Sequence, residues 1–276
     1  MNTPLVNVDW LQENLKDPDL IILDGSPVSN KANMKVKHPG IRIIGARTFD
    51  IKNKFSDKES NLPNMMPSQG AFTKACQTLG INANSKIVVY DNLEIYSSPR
   101  VWWMFKTMGH ENVAVLDGGL NDWMAKDGAT EAIGDQTFLP GNFIAKYDAD
   151  KIKNATQLLE NIDTKKLLVV DARSAGRFKA EEPEPRKNLR GGHIPGSCNL
   201  PHSKLRRDGK LLPKEELKVI FDAMDLGNKP LVFSCGSGMT ACVTLLAGSL
   251  VLENELALYD GSWSEWGAGD GAWPIA

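Results

Sequence analysis

At 276 residues the chain is long enough for two domains of ordinary size, each with its own core. Its 42% hydrophobic, 24% charged and 7% aromatic content is that of a globular protein, and 32 basic against 34 acidic residues exclude a general affinity for nucleic acid or anionic membrane. The opening "MNTPLVNVDWLQ" lacks the regions of a secretory signal, and the longest weakly polar run, Ala241 to Leu252, is short of the ~20 residues a membrane span needs, so the expectation is a cytoplasmic enzyme.

In chain order, "DWLQENLKDPDLIILDGS" (residues 9–26) predicts a short polar-headed helix running into a buried strand that ends at Asp24. A less regular insertion follows at about Asp50 to Ser68, with "NLPNMMPS" reading as loop. The strand "KIVVYD", the helix "PRVWWMFKTMG" and the strand "NVAVLDGG" complete the first half. "FLPGNFIAKYDAD", with its Pro-Gly pair and no helical period, is expected to be a linker over 138–150.

Beyond it the same grammar returns. "TQLLENIDTKKLLVVDAR" (residues 156–173) lies over 9–26 without a gap, pairing Glu13 with Glu160, Asn14 with Asn161 and Asp24 with Asp171. "LVFSCG" corresponds to "IVVYDN", "TACVTLLAGSLVL" is the matching helix, and "LYDGSWSEW" lies over "VLDGGLNDW". Compact runs of Ile, Leu and Val alternating with helices predict α/β architecture, a mainly parallel sheet with helices on both faces, built twice: 1–137 and 151–276.

The four cysteines, Cys76, Cys198, Cys235 and Cys242, include no CxxC pair and no His at ligand spacing, which argues against a disulfide framework and a metal site. Cys76 and Cys242 fall inside helical patterns and read as packing residues. Cys235 is different. It follows the strand "PLVFS" and opens "CGSGMT", so it sits at the carboxyl end of a parallel strand, where open α/β sheets place their ligands. Gly236 and Gly238 permit positive φ and close backbone approach, and a helix is expected from about Thr240. Such a loop gathers N–H groups into a nest that favours an anion, here a thiolate or a sulfur bound to it. Helix N-termini lower cysteine pKa values from ~8.5 to as little as ~3.5, which makes Cys235 a candidate nucleophile; a small buried hydrophobe is the alternative. Cysteine phosphatases also use a strand, a cysteine loop and a helix, but their loop closes on an arginine. Here Thr240 and Ala241 stand in that place and no Arg follows Arg207, so a dianionic phosphate lacks its bidentate partner.

"CGSGMTA", "GRFKAEEPEPRKNLRGGHIPGSCNLP", "SSPRVWWMFKTMGH", "VLDGGLNDW" and "LYDGSWSEWG" together resemble the tandem rhodanese-domain sulfurtransferases, and within them the 3-mercaptopyruvate sulfurtransferases, over nearly the whole chain. The resemblance implies a silent N-terminal copy, with Asp91 in the place of Cys235, and a C-terminal catalytic domain that needs no cofactor. A CGSGVT-type loop marks the mercaptopyruvate enzymes, whereas thiosulfate enzymes carry basic residues there; "CGSGMT" is neutral. Arg177 and Arg186 match the arginines that hold the donor's carboxylate and keto group, although salt bridges to Glu181, Glu182 and Glu184 would also account for them. The implied site is Cys235 as sulfur acceptor and Ser237 as a group that polarises the donor or relays a proton. Gly236, Gly238, Met239 and Thr240 form the substrate loop, with Thr240 also a helix cap. The donor is a small molecule and the acceptor a thiol, thioredoxin or a small one, with cyanide as an assay substitute. Thiosulfate transfer and a non-catalytic sulfur-carrier or docking module are the alternatives. Two departures stand out: Asn64 in "SNLPNMMP" replaces the family's His, and Lys52 lies near where its acidic partner belongs. His193, in "HIPG", is expected to order its loop.

Overall fold

The structure is a computed structural model that describes residues 1, 3–27, 34–268, 271 and 273–276. The chain divides into two compact units. The first comprises Met1–Lys58, Met66–Asp148 and Asp208–Leu211, and the second Glu59–Met65, Ala149–Arg207 and Leu212–Ala276.

In the first unit the elements run β1 (Leu5–Val6), α1 (Val8–Asn14), β2 (Leu20–Asp24), β3 (Ile41–Ile43), β4 (Arg47–Thr48), α2 (Gln69–Thr78), β5 (Lys86–Tyr90), α3 (Ser98–Thr107), β6 (Val113–Leu116), α4 (Gly119–Ala125) and β7 (Thr130–Ala132). The five-stranded sheet has the order β1-β6-β5-β2-β4, every pair parallel. β3 and β7 form a separate antiparallel pair.

The second unit has β8 (Ile152–Lys153), α5 (Ala155–Thr164), β9 (Leu168–Asp171), α6 (Ala175–Phe178) and β10 (Cys198–Asn199), followed by a 3₁₀ turn at His202–Leu205. The two-residue strand β11 (Arg206–Arg207) follows; β12 (Lys210–Leu211) lies in the segment that belongs to the first unit, and the second resumes with α7 (Lys214–Asp222), β13 (Leu231–Ser234), α8 (Ala241–Ser249), β14 (Leu256–Tyr259) and α9 (Ser262–Trp266). Its sheet order, β10-β9-β13-β14-β8, is again parallel throughout and is that of the first unit under the repeat. The expected architecture, two α/β units on mainly parallel sheets, is the one observed.

The repeat reaches local detail. Asn7 caps α1 by accepting the Trp10 amide at 2.8 Å, and Asn154, at the equivalent position, accepts the Gln157 amide at 3.0 Å. The Gln157 side chain returns a bond to the Asn154 amide at 2.9 Å, closing a capping box. Strands in the middle of such a sheet have both faces covered, so β5 and β13 read as unbroken apolar runs: Ile87 to Tyr90 and Leu231 to Ser234 are all buried. Val169, Val232, Tyr259, Trp263 and Trp266 build one core cluster of the second unit, and Ile22, Val88, Tyr90, Leu116 and Trp123 one of the first. At ~1.5–3 kcal/mol per large side chain, these clusters dominate the stability of each unit.

Residues 50–68 hold turns and bends up to the cap of α2, as the composition predicts. Residues 138–148 are irregular but pinned to the first unit: Gly141 donates to Gln77 O, Phe143 to Ile81 O and Lys146 to Met108 O. No helix among the described residues is long and apolar enough to cross a membrane.

Candidate active site

Cys235 follows the last residue of β13, a strand flanked by β9 and β14, and is 1% exposed. Its loop is fixed from below by the turn into α9. The Ser262 hydroxyl accepts the amides of Cys235 at 3.2 Å and Gly238 at 3.1 Å, and donates to Tyr259 O at 2.8 Å. Trp263 N donates to Cys235 O at 2.9 Å, and Ser264 donates to Gly236 O through its amide at 2.9 Å and its hydroxyl at 2.6 Å. None of these three residues, Ser262, Trp263 and Ser264, is singled out by the sequence. A signal was present: Ser262, at φ 49°, stands where the first unit has Gly119, at φ 57°. A side chain kept in left-handed backbone, where glycine serves the other copy, has a reason to be there.

The two loop glycines serve different ends. Gly238, at φ +71°, needs the left-handed region, as expected. Gly236 instead gives room, since a Cβ there would meet Arg177 Nη2 at 3.1 Å and Arg186 Nη1 at 3.5 Å. Both arginines expected at the site are therefore gathered on the backbone beside Cys235. Arg186 Nη2 donates to Ser237 Oγ at 3.0 Å.

Arg177, carried by α6, donates to Glu184 at 2.6 and 3.2 Å. The salt-bridge alternative for Arg177 is observed, with Glu184 as the partner; Glu182 accepts from Ser174 instead. Glu184, its side chain 2% exposed, also takes Arg173 at 2.8 Å. Arg173 is fully buried, pairs with Asp171 at 2.6 Å, donates to Gly192 O at 2.8 Å and lies 4.0 Å over the Trp263 ring. This chain of alternating charge sets the guanidinium of Arg177, and its buried members are paired as buried charges must be.

Thr240 departs from expectation. It occupies the position before α8, but in helical backbone (φ −74°, ψ −17°), and its side chain makes no capping bond. A capping side chain needs extended backbone at that residue, which the tight Gly238–Met239 turn does not provide. Met239 is half-buried and contributes its carbonyl to the Cys242 amide at 3.1 Å.

Asn64 belongs to the second unit, where its amide nitrogen donates to Ser237 O at 3.2 Å and Ser237 Oγ at 3.3 Å. His193 orders its loop: Nδ1 meets Phe178 O at 2.9 Å, the ring stacks on Phe178 at 3.8 Å, and its backbone pairs with Ala276. His202, which sequence reasoning passed over, lies just beyond β10, with its amide on Ala172 O. Its Nδ1 is enclosed without a hydrogen-bond partner among the described residues. Burial first, then the charges of Arg206 and Arg177, lower its pKa to about 4, so it is a neutral imidazole.

All four cysteines are free. Burial pushes the Cys76 thiol well up and Cys198 to about 11, which leaves both inert as nucleophiles near neutrality.

The first unit shows what such a loop encloses. Asp91, in the place of Cys235, is fully buried, and its Oδ2 accepts the amides of Tyr96, Ser97 and Ser98 at 2.8–2.9 Å and the Ser98 hydroxyl at 2.7 Å. Oδ1 takes the Leu93 amide at 2.8 Å. The nest is filled by the chain's own carboxylate.

Against known proteins, the rhodanese-like domain pattern matches residues 7–126 and again 154–268. This chain belongs to the rhodanese family. Its two rhodanese domains align with the 3-mercaptopyruvate sulfurtransferase of Escherichia coli K12 at 40% identity, over 96% of this chain and 95% of that one. The rat protein of the same name is 39% identical, over 95% of this chain and 91% of its own length. Among solved structures, the crystal structure of SseA from E. coli, a 3-mercaptopyruvate sulfotransferase, superposes with a TM-score of 0.83 at 37% identity, covering 96% of this chain and all of that one. Yeast Tum1 gives 0.87 at 27% identity, over 99% and 98%.

Proposed function

We propose that this rhodanese-family chain is a 3-mercaptopyruvate sulfurtransferase that carries sulfur on Cys235 and passes it to a thiol. The observation that carries the donor assignment is the pair of guanidiniums, Arg177 and Arg186, at Gly236, beside a loop that has no basic side chain of its own. Thiosulfate concentrates two charges near its sulfur and would gain most from cations within the loop. 3-Mercaptopyruvate holds its carboxylate and keto group several bonds from the sulfur, where these arginines can take them bidentately.

In the first half-reaction the Cys235 thiolate attacks the donor sulfur. The S–S bond forms as the C–S bond breaks, and its electron pair goes to the enolate of pyruvate. The proton of the donor thiol ends on the methyl carbon, leaving pyruvate and a persulfide anion. The arginines and the Ser237 hydroxyl meet the negative charge that develops on the keto oxygen, as preorganised donors do elsewhere. The loop amides hold the persulfide as their counterparts hold the Asp91 carboxylate. In the second half-reaction a thiolate, from thioredoxin or a small thiol, takes the outer sulfur and restores Cys235. A reducing compartment such as the cytoplasm suits a site that depends on a free thiol.

The test compares kcat/KM for 3-mercaptopyruvate and thiosulfate with cyanide as acceptor. The assignment requires a clear preference for 3-mercaptopyruvate that Cys235→Ser abolishes; equal or better use of thiosulfate sinks it.

A further inference from the structure

Ser237 is 7% exposed, and its hydroxyl oxygen receives two hydrogens, from Arg186 Nη2 at 3.0 Å and from Asn64 Nδ2 at 3.3 Å. A hydroxyl oxygen has two lone pairs. A guanidinium has nothing to accept with, so the Arg186 contact has one possible direction. The Asn64 contact is fixed as well: the same amide group sits 3.2 Å from the Ser237 carbonyl oxygen, which can only accept, so the nitrogen faces Ser237. With both lone pairs engaged, the hydroxyl hydrogen can go to neither neighbour. It remains for a third group, on the face of the loop where Arg177 and Arg186 converge on Gly236.

We infer that Asn64 is a positioning residue which, with Arg186, makes Ser237 a one-way hydrogen-bond donor to the bound sulfur donor. This rests on the reading of the site as a sulfurtransferase and deepens it. Ser237 then gives a hydrogen bond to the keto oxygen and strengthens it as enolate charge develops. It does not act as a base or pass a proton along, because neither group behind it can take one up. The backbone of Asn64 fits the role: φ is 61°, a left-handed conformation that Asn tolerates better than most residues, and it brings the short amide under both oxygens of Ser237.

The experiment is a double-mutant cycle on turnover of 3-mercaptopyruvate by the full chain. Asn64→Gly is the first variant, since glycine suits the positive φ and removes only the side chain. Asn64→Gly and Ser237→Ala each lower kcat about tenfold with a smaller change in KM, and the double variant is no worse than Ser237→Ala alone, the signature of coupled groups. Asn64→Asp places a carboxylate that accepts the Ser237 hydrogen, and lowers kcat further than Asn64→Gly does. Losses that multiply in the double variant, or an Asn64→Asp enzyme as fast as wild type, overturn the inference.

A readout independent of turnover is the pair of Asn64 side-chain NH₂ resonances. They shift in Ser237→Ala if the contact exists, and unchanged resonances again overturn the inference. Should wild type release no pyruvate at all, the functional reading fails, and the resonance arm still decides the Asn64–Ser237 contact.

Discussion

Ser262 holds the amides on either side of the loop's turn from a backbone angle, φ 49°, that most side chains avoid. The first copy of the fold uses glycine there, and Leu120 N reaches Asp91 O at 3.1 Å as Trp263 N reaches Cys235 O. Ser262→Gly therefore relieves about 1 kcal/mol of strain while unmooring two buried amides. The expected outcome is a melting temperature within a few degrees of wild type, with kcat/KM reduced about tenfold. Unchanged turnover would show that the loop holds its shape without this hydroxyl. His202 acts on stability instead. Its folded pKa of about 4 lies below the ordinary value near 6.5, so the unfolded chain binds a proton that the folded one refuses. Its contribution is intact above pH ~6.5 and is lost as pH falls towards 4, to a limit of about 3 kcal/mol. His110, lowered by burial, adds to the same slope. His202→Phe should flatten the fall in urea midpoint between pH 7 and pH 5; an unaltered slope contradicts the assignment.

At the scale of elements, what was legible and what was not divide by sequence distance. Strands β2, β5, β9 and β13 announced themselves as compact apolar runs, and the place of Cys235 at the end of β13 followed from the run and the glycines. The positions of Arg177 and Arg186 came from resemblance, because nothing local distinguishes them from arginines among surface glutamates. Asn64 and Ser237 are 173 residues apart, and Ser262 and Cys235 are 27 apart, so no periodicity could report their meetings. The Asp171–Arg173–Glu184–Arg177 chain was invisible for the same reason; the sequence shows charges, and only the fold shows that Arg173 is buried between two carboxylates. Removing one member of a buried pair leaves its partner uncompensated, so Glu184→Ala should cost about 3–5 kcal/mol in urea unfolding. The same change should raise KM for the donor as Arg177 loses its orientation. A loss under 1 kcal/mol would mean that water replaces Glu184.

For the whole molecule, the two units share strand order, helix caps and the loop that follows the central strand, and they differ in what the loop encloses. In the first copy it is the Asp91 carboxylate; in the second, Cys235 stands at that position, 1% exposed. On the proposed function, the first nest is filled by its own carboxylate and the second is the one that takes the transferable sulfur. The most direct test is intact-protein mass spectrometry after exposure to 3-mercaptopyruvate without an acceptor, with pyruvate measured in the same sample. The account predicts one added sulfur atom, mapped to Cys235, one pyruvate per sulfur, and neither in Cys235→Ser. Sulfur on Cys76, Cys198 or Cys242, or no added sulfur with wild type folded, would contradict it.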